Sequence, residues 1–130
     1  MTASKWRHFT LEELTCHCGC GRMEMDDTFM ANLVHLRDVM RMPLKLSSAY
    51  RCPEYNAHVS HTGLTGPHTT GKAVDILIMG GNVNNLLNLV TGLDITGIGI
   101  NQKGAAKNRF VHIDSLPNGP DRPRPWVWTY

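Results

Sequence analysis

Apolar side chains recur at Phe29, Leu33, Leu36 and Met40, the three- and four-residue spacing of one face of a helix. Asp26 and Asp27 place negative charge ahead of this stripe and Pro43 breaks it, so the pattern predicts an amphipathic helix laid on a core. Thr10-Leu11-Glu12-Glu13 has the form of a capping box, opening a very short helix that the Cys16 to Gly21 segment ends. Val83, Leu86, Leu87 and Val90 predict another helix over 82–90. The remaining apolar runs follow the two-residue period of strands. In Ala73 to Met79, Val74, Ile76 and Ile78 face one side while Ala73, Asp75 and Leu77 face the other, as in a central strand. Leu44 to Ser48, a run around Thr96 to Ile100, and Arg109 to Asp114 read as further strands. In the last of these Phe110, His112 and Asp114 share a face, with Val111 and Ile113 behind them.

The intervening segments are polar and rich in turn formers. Pro53 to Val59 reads as a turn or one or two helical turns. Residues 60–71, with Gly63, Gly66, Pro67 and Gly71 among Ser, Thr and His, read as a functional loop rather than a regular element. After a tail rich in Pro, Arg and Gly, Trp126, Val127 and Trp128 suggest an edge strand that ties the terminus down. No internal repeat or linker interrupts the 130 residues, which fit one domain over 1–130.

Composition narrows the function classes. At 42% hydrophobic and 18% charged residues the chain is too apolar to be disordered. Its net charge of +2 is scattered, with Arg122 and Arg124 the one compact basic pair, which argues against nucleic-acid recognition and weakly favours an anionic polymer such as a cell wall. No run approaches the roughly 20 apolar residues of a membrane span. The polar start, with Lys5, Arg7 and His8, is unlike a secretory signal, so synthesis in the cytoplasm is expected, with another route to any external substrate.

The chemistry concentrates in Gly66-Pro67-His68-Thr69-Thr70-Gly71-Lys72-Ala73-Val74-Asp75-Ile76 and in Phe110-Val111-His112-Ile113-Asp114. His68, Asp75 and His112 offer two imidazoles and a carboxylate, a zinc set with a fourth position free for water. Three protein ligands point to catalysis, because bound water is brought to a pKa of about 7. Gly71 permits the turn that brings a loop histidine to a strand aspartate, and Ala73 keeps the floor beneath them shallow.

His68-x-x-Gly71-x-Ala73-x-Asp75 and the later Phe110-Val111-His112-Ile113-Asp114 resemble the zinc peptidases of the D-Ala-D-Ala carboxypeptidase superfamily, which includes phage L-alanyl-D-glutamate endolysins and the hedgehog signalling domain. Ser47-Ser48-Ala49-Tyr50-Arg51-Cys52-Pro53, with Asn56, is similar to the segment that precedes the first ligand in that family. The resemblance implies a small α+β domain in which a mainly antiparallel sheet, flanked by helices, carries one catalytic zinc on His68, Asp75 and His112. It implies cleavage of a peptide bond in peptidoglycan stems or cross-links. Arg51 corresponds to an arginine that grips a substrate carboxylate or orients the scissile carbonyl, with Ser48 and Asn56 beside it as substrate-binding residues. A planar guanidinium suits a carboxylate, although Arg51 could instead cap a turn or pair with Glu54.

Two departures bear on mechanism. Many members place a glutamate three residues before the last histidine as general base, and this chain has Arg109, which accepts no proton. Asp114 is the substitute, either activating water as a catalytic residue or holding His112 in place from behind. Gly66 stands where a serine is frequent, and Thr65, Thr69 or Thr70 could supply the hydroxyl. His58 and His61 fall just upstream, where they could line the cleft or act as transition-state donors, but such histidines are more often solvated and they are left outside the site.

Cys16, Cys18 and Cys20, with Cys52 beside Arg51, form the second distinctive group. Two disulfides, a structural zinc, or four reduced thiols all fit their spacing, and a stabilising role is favoured over a catalytic one. The resulting expectation is a monomeric zinc peptidase, carboxypeptidase or endopeptidase, acting on wall peptides as a phage or prophage endolysin or from a virion. It involves no nucleic acid and no membrane insertion. The alternative is an inactive zinc-stabilised binding domain of the same fold.

Overall fold

The computed structural model describes all residues, 1–130. Five strands form one sheet: β1 (Lys45–Ser48), β2 (Ala73–Leu77), β3 (Gly97–Asn101), β4 (Phe110–Asp114) and β5 (Trp126–Thr129), in the spatial order β1-β2-β4-β3-β5. The β1/β2, β2/β4 and β3/β4 pairs are antiparallel, whereas β5 joins β3 in parallel at the edge. With four helices, this is the expected α+β architecture, and β5 is the expected terminal edge strand.

Alternation along the strands sorts the two faces. Val74, Ile76, Val111 and Ile113 are buried on one side, where they join the core with α2 (Asp27–Met40) and α4 (Gly81–Val90). Phe29, Met30, Leu33 and Leu36 of α2 and Val83, Leu86 and Val90 of α4 supply the helical half of that core. Burying such a side chain contributes roughly 1.5–3 kcal/mol, which makes this layer the main source of stability. The opposite face carries Asp75, His112 and Asp114. The register is direct: Asp75 stands across from His112, and Ala73 across from Asp114.

Side-chain caps set the helix starts. The Thr10 hydroxyl accepts from the Glu13 N–H at 3.2 Å and the Glu13 carboxylate accepts from the Thr10 N–H at 3.1 Å, so the capping box forms ahead of α1 (Leu11–Leu14). Asp26 accepts from the Phe29 N–H at 2.9 Å and starts α2. The Pro53–Val59 segment is a helix, α3, with its proline in the first turn, where no amide hydrogen is needed.

Residues 60–71 depart from the irregular loop expected of them. They hold two short 3₁₀ turns, Gly63–Thr65 and Pro67–Thr70. The Thr69 and Thr70 hydroxyls donate to the carbonyls of Gly66 and Pro67, at 2.7 and 2.6 Å, bonding the second turn to itself. Gly71, at φ 74°, closes that turn, and a Cβ there would lie 2.0 Å from the Glu24 carbonyl oxygen. No helix is long and apolar enough to cross a membrane.

Candidate active site

The sheet register brings Asp75 and His112 together, and the Pro67–Thr70 turn lays His68 over them. Asp75 Oδ1 lies 2.9 Å from His112 Nδ1 and 3.3 Å from His68 Nε2. Partners on the far nitrogens bear on which nitrogen of each ring is free. His68 Nδ1–H donates to the Ala49 carbonyl at 2.7 Å, leaving the Nε2 lone pair facing Asp75. His112 Nε2 lies 2.8 Å from Asp114 Oδ2, so a proton held there leaves Nδ1 free to face the same Asp75 oxygen. Two nitrogen lone pairs and a carboxylate therefore converge, and one donor atom from each residue lies within 4.8 Å of the others. Such a set needs a positive charge at its centre, and its mix of two nitrogens and one oxygen suits zinc.

A proton meets the same need in the metal-free protein. Burial disfavours charge on His112, but Asp114 and Asp75 outweigh it and raise its pKa above the ordinary histidine value. Burial likewise opposes charge on Asp75, yet the His112 proton and the adjacent His68 imidazole hold its carboxyl far below the usual range. A metal held by these residues would take the place of that proton.

Asp114 sits behind His112, with a side chain that is 0% exposed. Arg124 grips it with two hydrogen bonds, Nε to Oδ1 at 2.9 Å and Nη2 to Oδ2 at 2.8 Å, and the Leu116 N–H donates to Oδ1 at 3.3 Å. Burial raises the Asp114 pKa, but His112 and Arg124 more than reverse this and bring it down to about 2. Gly97 makes room for the carboxylate, since a Cβ there would fall 2.3 Å from Asp114 Oδ1. Of the two roles open to Asp114 in the sequence, this position serves the holding of His112. Arg109 is not among the residues that line the cleft, and its Nε donates to the Gly104 carbonyl at 3.1 Å.

Arg51 reaches the metal set from the β1 side, its Nη2 3.8 Å from Asp75 Oδ2, and pairs with that residue rather than with Glu54. Its Nε donates to the Ser48 hydroxyl and its Nη1 to Asn56 Oδ1, both at 3.1 Å. Ser48 and Asn56 are buried and lie outside the cleft lining. They brace the guanidinium, so direct substrate contact, which the sequence suggested for all three, is geometrically open to Arg51 alone. Asn56 Nδ2 also donates to Thr62 Oγ1 and the Gly63 carbonyl, linking Arg51 to the loop before His68.

These groups open on a cleft of about 1070 Å³, walled by Arg51, His61, Arg122, Trp126, Trp128 and Tyr130 among others. Thr65 lines it, and so does His61, a position the sequence leaves open to it while keeping it outside the site. The Thr69 and Thr70 hydroxyls are committed to their own turn, so they are poor replacements for the serine that Gly66 lacks. The Peptidase M15 family model matches residues 7–114, which take in the whole metal set. This chain belongs to the peptidase M15 family. That places it among the zinc peptidases related to the D-Ala-D-Ala carboxypeptidases, whose expected ion is zinc and whose substrates are peptides. Searches of the curated proteins and of the solved structures return no match.

The M15 match ends at Asp114, and beyond it lies the residue that sequence reasoning missed. Arg124, half of the compact basic pair, is only 9% exposed and neutralises Asp114. A signal existed: a buried aspartate needs a cation, and Arg124 stands rigidly between Pro123 and Pro125. Trp128 packs near both, its ring 5.2 Å from His112 and 5.1 Å from the Arg124 guanidinium carbon.

In this M15 peptidase the four cysteines are also brought together. Cys16 Sγ lies 3.5 Å from Cys18 Sγ, which lies 3.7 Å from Cys52 Sγ, and all four are free thiols. Burial pushes the Cys16 thiol up, but the Cys52 and Cys18 amides and neighbouring thiols bring it down to about 7.

Proposed function

We propose that this M15 peptidase hydrolyses a peptide bond in bacterial peptidoglycan as a single domain, serving as a phage or prophage endolysin. The observation that carries the reading is the convergence of His68 Nε2, His112 Nδ1 and Asp75 at the floor of a cleft with Arg51 beside them. Bound by those three residues, zinc supplies Lewis-acid activation of a carbonyl and of water.

The chain's own residues divide the remaining work. Arg51, braced by Ser48 and Asn56, keeps a guanidinium edge toward the cleft and orients a substrate carboxylate or carbonyl. Ala49 and Asp114 hold the protons of His68 Nδ1 and His112 Nε2, so both ligating nitrogens stay aimed inward. Arg124 keeps Asp114 ionised, and Asp114 thereby acts on the reaction through His112. The aromatic wall of Trp126, Trp128 and Tyr130 suits the extended backbone of a short peptide. The protein works as a monomer on wall peptides, reached from the cytoplasm after membrane permeabilisation or delivered on a virion, with no role in nucleic-acid binding.

Purified zinc-loaded protein incubated with peptidoglycan is expected to release fragments whose masses identify one class of cleaved peptide bond. A chelated control should release none. Intact sacculi at every zinc loading would refute the wall-peptidase reading. Tight binding without cleavage would instead favour the inactive domain, which the absence of a glutamate at position 109 keeps in view.

A further inference from the structure

We propose that Cys16, Cys18, Cys20 and Cys52 hold a second zinc ion as a closed tetrathiolate, which fastens the N-terminal loop to the turn bearing Arg51. The four sulfurs lie within 4.8 Å of one another. Zinc–sulfur bonds of about 2.3 Å in a tetrahedron set the sulfurs about 3.8 Å apart. The separations of 3.5 and 3.7 Å match that edge and far exceed the roughly 2.05 Å of a disulfide.

The backbone is also shaped for an ion. Gly19 and Gly21, each directly after a cysteine, have φ of 91° and 77°, so the chain bends around one point. The Cys52 N–H donates to Cys16 Sγ at 3.3 Å and the Arg22 N–H to Cys20 Sγ at 3.4 Å, contacts that stabilise thiolates. Cys16 and Cys52 are buried while Cys18 and Cys20 are exposed, and residues 16–26 contain no helix or strand. A four-ligand ion is a means of fixing such a loop, and with no open position its role is structural. Cys52 follows Arg51 directly and precedes α3, which carries Asn56, so the ion would anchor the same turn that presents the guanidinium.

The test reads metal and thiols and is independent of turnover. Protein purified under reducing conditions is expected to carry two zinc equivalents, and the His68→Ala/His112→Ala double variant one. Cobalt(II) substituted into that double variant should show tetrahedral visible bands together with thiolate-to-metal charge transfer, the latter impossible for a His/Asp site. Cys18→Ser/Cys20→Ser should lose one zinc equivalent and those bands. The proposal is overturned if the His-site variant binds no metal and gives no thiolate band. It is equally overturned if the native mass is lighter by two hydrogens per cysteine pair, the mark of disulfides.

Discussion

The His68–Asp75–His112 set and the four-cysteine cluster lie on either side of one short turn, Ala49 to Cys52, and they are built in opposite ways. In the first, three ligands of mixed nitrogen and oxygen character face a cleft, and further residues hold each imidazole in one tautomer. In the second, four sulfurs converge from a loop and a helix N-cap, with backbone amides as their partners. An open three-ligand set leaves space for a reacting group, and a closed four-ligand set leaves none. The arrangement separates working from holding while coupling both to Arg51.

The largest test of that division is His112→Ala. It should lower kcat/KM by about 1000-fold or more, since metal activation supplies several kcal/mol, while the cobalt-thiolate spectrum stays intact. A loss of both signals together would show that the two regions are one cooperative unit. Arg51→Ala should reduce kcat/KM by about 100-fold, with Arg51→Lys recovering only part because an ammonium lacks the planar fork. Wild-type steady-state kinetics in either variant would remove Arg51 from substrate handling.

Asp114→Asn separates positioning from proton transfer. If the carboxylate holds His112, zinc affinity at the cleft falls by about 10- to 100-fold, measured by competition with a chromophoric chelator. A general base would instead leave affinity alone and distort the pH–rate profile. The smallest expected effect is the pH dependence of cleft metal binding. His112 has a raised pKa in the metal-free fold, so its protonation stabilises that fold below the ordinary histidine value, and the benefit is lost as pH rises through the raised one. Zinc competes with that same proton, so its affinity should climb with pH over the interval by up to about tenfold per unit. Titrations at several pH values check this, and a flat affinity would count against His112 as ligand.

Much of this was legible in the sequence because it rests on local periodicity. The α2 stripe, the caps at Thr10 and Asp26, and the alternation in β2 and β4 predict elements and faces from neighbouring residues alone. The spacing of His68, Asp75 and His112 was legible for the same reason, since strand phase puts the last two on one face. Arg124 was not, because its partner is ten residues away and the intervening tail has no periodicity. The bracing by Ser48 and Asn56 was also hidden: residue type cannot tell a side chain that meets substrate from one that supports its neighbour. The short 3₁₀ turns of residues 60–71 follow from hydroxyl-to-carbonyl bonds that composition does not announce.

The direct opposition of Asp75 and His112 across β2 and β4 would let a zinc ion bound there act as a proofreader of folding. These strands are joined by a long stretch of chain containing a helix and another strand, so their alignment is not dictated by a tight hairpin. A slip of one residue would put Val111 or Ile113 opposite Asp75 and turn His112 toward the core. A misaligned chain would then present two donors instead of three and forfeit most of its binding free energy. Such an ion would reward only the correctly aligned sheet, so that folding in the presence of zinc would have its strand alignment selected by the same atoms that face the cleft.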